Sequence, residues 1–257
     1  MRRLLSVLTL CAPALYAAAA AAQIGSVAPP PHPGPAPTVA VDFSFGDAGD
    51  DTSFLFRLGM LEGHLMIGHE LLVAHQPALA LPHFGHPVRE LYDDLADYVN
   101  AKHFPAFDAQ LAELEDAVKS APDSPATEAK YQAVIATIHR ARLLTPAELR
   151  DSVPQMIDIC SQTMNAASYE YGGALEHGRI AAVVEYHDSR GFLEYVAQEV
   201  AELRQAHPDA TAMLDRFGAV LTKAQWIVDP LLPGPTPRAS AGTYRSLADQ
   251  AAQVAKP

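Results

Sequence analysis

The stretch Pro87–Val99, PVRELYDDLADYV, spaces Val88, Leu91, Leu95 and Val99 three, four and four residues apart. That spacing lines four apolar side chains along one side of an α-helix and leaves the charged residues opposite. The same period extends in both directions. Phe54–Ala74 carries Leu58, Leu61, Leu65, Met66, Leu72 and Val73, and Phe104–Lys119 carries Leu111, Leu114 and Val118. Further helices are predicted over Ala126–Leu143, Pro146–Tyr171, Ala174–His187, Phe192–Ala206 and Asp209–Val228. Gly172-Gly173 is read as one stop and Ser189-Arg190-Gly191 as another. Thr145-Pro146-Ala147-Glu148 combines a capping residue, a proline at the first helical position and an early acid. Strand-like alternation is confined to Val39–Phe45, VAVDFSF, too short for a sheet. The expected fold is all-α: an antiparallel bundle of seven or eight helices over residues 51–232, as one domain or two closely packed bundles.

The ends read differently. Residues 1–22, MRRLLSVLTLCAPALYAAAAAA, have a basic start, an apolar middle and an alanine-rich end, the build of an export signal. Left uncleaved, residues 4–22 would approach the length of a membrane anchor. Residues 23–50 form a proline-rich linker, and residues 233–257 read as a flexible C-terminal tail with a short helix near Tyr244–Val254. The expected location is the periplasm or the exterior. Cleavage would leave Cys160 as the single cysteine, on the apolar side of a helix, where a thiol is buried and inert.

The formal charge is −12, and losing Arg2 and Arg3 with no acid takes it to −14. Such a balance argues against nucleic acid and against adhesion to anionic membrane. Membrane attachment would require the N-terminal segment to stay as an anchor. No G-x-S-x-G and no glycine-rich phosphate loop occurs, so enzymatic activity has little support.

Polar residues on the apolar stripes are the candidates for function. In Glu62–Glu70, EGHLMIGHE, helical phase aligns Glu62 and His69 with Leu58, Leu65 and Val73, and turns His64 and His75 to another face. In the segment GGALEHGRIAAVVEYHDSRGF, His177 and Asp188 follow the line of Ile180 and Val184, with His187 at its edge. Two helices turning histidine and carboxylate inward predict a transition-metal site built from Glu62, His69, His177, His187 and Asp188. Iron comes first, with zinc, copper and manganese also suited to such donors. A structural alternative has Glu62 and His69 satisfying each other, and Asp188 pairing with Arg190 before a Gly191 cap. His83 and Phe84 lie in a short loop able to close over the opening helix. A haem or small-ligand pocket at His69 or His64 with Met66 is a third reading.

An exported, disulfide-free helical bundle with inward histidine and carboxylate resembles the imelysin and EfeO-type periplasmic proteins of iron uptake. The resemblance covers roughly residues 50–230, and the H-x-x-E signature of that family is absent: Ile67 follows His64 at that spacing, and Leu72 follows His69. It implies an accessory in iron uptake or handling whose partners are a metal ion or small ligand and proteins of the envelope. The alternative is a non-enzymatic envelope scaffold whose inward polar residues only pair helices.

Overall fold

A computed structural model describes residues 50–256, with side chains 86–90 left aside; the expected export signal and nearly all of the linker lie outside the described residues. The fold is all-α. The long helices are α1 (Asp51–Val73), α3 (His86–Ala101), α4 (Asp108–Ser120), α5 (Pro125–Arg142), α7 (Val153–Gly173), α8 (Val183–Ala206), α9 (Thr211–Ile227) and α10 (Ala241–Val254). Two single turns, α2 (Pro77–Ala80) and α6 (Ala147–Arg150), a 3-10 turn at Leu81–Phe84 and a minimal hairpin, β1 (Leu175–Glu176) with β2 (Arg179–Ile180), connect them. Starts follow the capping chemistry: Ser124 and Ser240 accept from the backbone N–H of Thr127 and Thr243, and Pro125 opens α5.

The helices form two four-membered groups. α1 packs on α3 and α5, and α4 closes the ring against both; α7, α8, α9 and α10 form the second ring, each packed on the next. α1 belongs to both cores. Its Leu58, Leu61, Leu65 and Leu71 join the first, while Leu55, Phe56 and Met60 join the second. A helix buried on several sides is apolar nearly all round and has no single inward face.

Small residues set how close α1 and α8 come. A Cβ on Gly191 would lie 2.3 Å from the Gly63 carbonyl oxygen, and one on Gly63 would lie 2.9 Å from the Phe192 ring. Gly191 is therefore neither a cap nor a break; α8 runs through Ser189-Arg190-Gly191 without interruption. The helix expected over Ala174–His187 is replaced in its first half by the hairpin. His177 and Gly178, at φ 50° and 73°, turn the chain as a two-residue hairpin loop does. The expected Pro146–Tyr171 helix starts twice, because Pro154 lacks an N–H and sits in the first turn of α7.

The short helix expected near Tyr244–Val254, in the C-terminal region, is α10. α10 buries Tyr244, Leu247, Ala248 and Ala251 against α7 and α9, and its approach is tied by the Tyr171 hydroxyl donating to the Ala239 carbonyl at 2.8 Å. Cys160 is a free, fully buried thiol whose pKa burial pushes up to about 12.

Candidate functional site

The five side chains expected to converge do not share one site. Buried Glu62 accepts from His139 Nε2 of α5 at 2.8 Å. His69 meets a different residue of α5, with Nε2 2.8 Å from Glu128 Oε2, and its ring lies parallel to that of Tyr131 at 4.0 Å. His69, His75, Asp123, Glu128 and Tyr131 line an open surface groove of about 430 Å³. His177 is at the hairpin tip with its side chain 90% exposed. Only His187 and Asp188 remain together in the interior. Both sides of α1 are covered, so sharing the Leu58–Leu65 line does not place a residue beside α8.

Asp188 gathers a different set. From the 3-10 turn, His83 donates through Nδ1 to Asp188 Oδ1 at 2.7 Å, and His64 Nε2 of α1 faces the same oxygen at 3.4 Å. The position neglected in EGHLMIGHE, His64, is thus the one that meets α8. His64 is anchored by its other nitrogen, which donates to the Met60 carbonyl at 2.8 Å. Gly68 allows the 3-10 turn to lie on α1: a Cβ there would meet the Phe84 ring at 2.6 Å. The hint in the sequence was the loop position of His83 and Phe84, next to a helix with three small residues.

Burial and charge decide the protonation states. Burial would raise the Asp188 pKa, but the imidazoles of His64 and His83 outweigh it and hold the carboxyl below its ordinary range. For His64 and His187 burial prevails, and both are lowered. Half-buried Glu170 of α7 behaves oppositely: desolvation first, then the Asp188 and Glu185 carboxylates, push it up to about 8. The cluster thus holds one ionised carboxylate near two imidazoles, His64 and His187, that favour their neutral form.

α8 also pins the loop that enters from α9. His187 Nε2 donates to the Leu231 carbonyl at 2.8 Å and the Tyr186 hydroxyl to the Pro230 carbonyl at 3.0 Å. Arg190 donates to the Val228 and Asp229 carbonyls, clasps Glu70 of α1 through two nitrogens at 2.9 and 2.7 Å, and lies 3.0 Å from Glu194. The expected Asp188–Arg190 pairing is replaced by this clasp.

Two buried nitrogens are left over: among the described residues, His83 Nε2 and His187 Nδ1 find no hydrogen-bond partner. The two ring planes are inclined at 67° with centroids 5.6 Å apart. Each histidine has its other nitrogen committed to an oxygen, the arrangement that orients metal-binding imidazoles. Among the described residues, however, no three His, Cys, Asp or Glu side chains are arranged to hold an ion together.

Residues 146–253 match the iron permease-associated 4-helix bundle domain. The match spans α6 through nearly all of α10, the second ring of helices, and about two-fifths of the chain. It supports similarity to an iron-associated helical bundle, a coarser statement than the resemblance to imelysin and EfeO-type proteins. Neither a curated protein nor a solved structure matches the chain. His187 and Asp188 lie inside the matched region, whereas His64 and His83 reach them from the other group of helices. Among the described residues no helix is long and apolar enough to cross a membrane.

Proposed function

We propose that this protein is an exported, periplasmic accessory of iron uptake that works beside an iron permease and handles a transition metal at the Asp188 cluster. The observation that carries the reading is the match of α6–α10 to an iron permease-associated bundle. The export-signal pattern of residues 1–22 supports the location, and the acidic charge suits a cation-handling protein. The buried imidazoles around Asp188 supply donor atoms appropriate to iron, zinc or copper. Its partners are then the metal and a membrane permease, with the chain itself carrying no catalytic step.

A strain lacking the protein should take up radioactive iron more slowly than its parent under iron limitation, and regain the rate on complementation. Equal rates in the two strains, with the permease present, would remove the reading. The envelope-scaffold alternative draws on Glu62 and His69, which pair α1 with His139 and Glu128 of α5. A scaffold predicts permease assembly, rather than metal content, as the property lost on deletion.

A further inference from the structure

His187 must carry its hydrogen on Nε2, since the Leu231 carbonyl can only accept. A neutral ring then holds its lone pair on Nδ1. His83 spends its Nδ1 hydrogen on Asp188, so a neutral ring there holds its lone pair on Nε2. Both remaining nitrogens are sealed from solvent and find no donor among the described residues. Buried lone pairs without donors are costly and call for a reason.

Protons are a poor answer. Charging both rings would set two imidazolium groups 5.6 Å apart in the interior, with Asp188 as the carboxylate bonded to one of them. A cation shared by both nitrogens satisfies the two lone pairs at once. Its reach is adequate: a metal–nitrogen bond of about 2.1 Å plus about 1.1 Å to each ring centre lets two rings on one ion sit up to about 6.4 Å apart. The observed 5.6 Å lies within that reach. The outer contacts agree as well, one imidazole backed by a carboxylate and the other by a backbone carbonyl.

We propose that His83 Nε2 and His187 Nδ1 together bind one divalent transition-metal ion whose other positions are filled by water or a small donor that travels with it. Imidazole donors select iron(II), zinc, copper or nickel over calcium and magnesium. Two protein ligands leave coordination positions for donors that the ion brings with it, whereas structural zinc sites are closed by four protein ligands. The assignment rests on the metal-handling reading above and names its atoms.

The test uses the full chain, purified metal-free and titrated with Cu²⁺ under electron paramagnetic resonance. One ion per chain with coupling to two nitrogens is expected. His83→Gln and His187→Gln should each weaken binding at least tenfold and leave one nitrogen, while His69→Gln should change neither property. Two-nitrogen coupling that survives both substitutions, or an all-oxygen spectrum in the wild type, overturns the assignment. A second measurement needs no variant: long-range proton–nitrogen spectra of the wild-type histidines with and without Zn²⁺. His83 Nε2 and His187 Nδ1 should move from lone-pair to metal-bound shifts; unmoved nitrogens would also overturn it. If the nitrogens bind metal but deletion leaves iron uptake intact, the uptake reading falls and the site stands. If uptake depends on the protein but neither nitrogen binds metal, the reverse holds.

Discussion

His83 and Asp188 are 105 residues apart in sequence and joined by a fully buried 2.7 Å hydrogen bond. That bond ties the 3-10 turn after α2 to the first turns of α8, and so links the two groups of helices. Removing Asp188 leaves the buried His83 N–H without its acceptor, at a cost of about 1–3 kcal/mol. Asp188→Ala should therefore lower the unfolding free energy in urea by that amount. Asp188→Asn, which keeps an oxygen acceptor for His83, should cost less. Equal losses for the two would deny the hydrogen bond its role.

The α1–α8 crossing makes a second prediction. A methyl group on Gly191 meets a carbonyl oxygen of Gly63 and the Ile67 side chain, all within 3 Å. Backbone cannot move aside cheaply, so Gly191→Ala should destabilise by about 1–3 kcal/mol. Gly172→Ala is the control. Its Cβ would sit at an ordinary 3.8 Å from Ala241, and helix propensity favours alanine there by up to about 1 kcal/mol. Thermal melts of both variants would show opposite signs.

The period of apolar residues made the fold class legible, because α3, α4, α5, α9 and α10 each have one covered side and one wet side. Pro87–Val99 read correctly for that reason, and α3 occupies His86–Ala101. The same logic misassigned α1, where His64 is buried and His69 is partly exposed although phase implied the reverse. No periodicity can choose among faces that are all covered. Glycines misled in the same way: Gly191 looked like a terminator and is a contact, whereas His177-Gly178 looked helical and is a turn. His187 and Asp188 were read from the line of Ile180 and Val184, although no residue from 182 to 200 is exposed and α8 is covered on every side there. Their partners came from a short loop and from the other side of α1, and no spacing within one segment encodes a meeting between segments.

Glu170 gives a pH dependence with a definite sign. Its pKa rises from 4.5 to about 8 on folding, so the folded state favours the protonated carboxyl. Stability from this group is complete below about pH 4.5 and is lost as the pH climbs through 8. Glu170→Gln removes the charge permanently. It should leave stability at pH 4 nearly unchanged and raise it at pH 9 by about 1–2 kcal/mol, allowing for solvent screening of a half-buried group. Urea titrations at the two pH values would reveal the difference, and a shift of equal size at both would assign it to something other than this ionisation.

Tyr244 decides whether the C-terminal region is tail or core. Its ring is fully buried beside Tyr171, with centroids 5.2 Å apart, and its hydroxyl accepts from Ser189 of α8 at 3.1 Å. One side chain therefore ties α10 to α7 and, at the residue next to Asp188, to the turn of α8 that carries His187 and Asp188. Tyr244→Ala should cost about 3–5 kcal/mol, as for other large buried aromatics, while Tyr244→Phe, which loses only the hydroxyl, should cost about 1 kcal/mol. Ending the chain before residue 238 should do more. It uncovers the apolar faces of α7 and α9 together, and the second group of helices loses one of its four walls. Calorimetry should then show a broadened transition at lower temperature, with Cys160, shielded at the centre of that core, becoming reactive to thiol reagents. A truncated chain that melts like the full one, with its thiol still protected, would make α10 a tail after all.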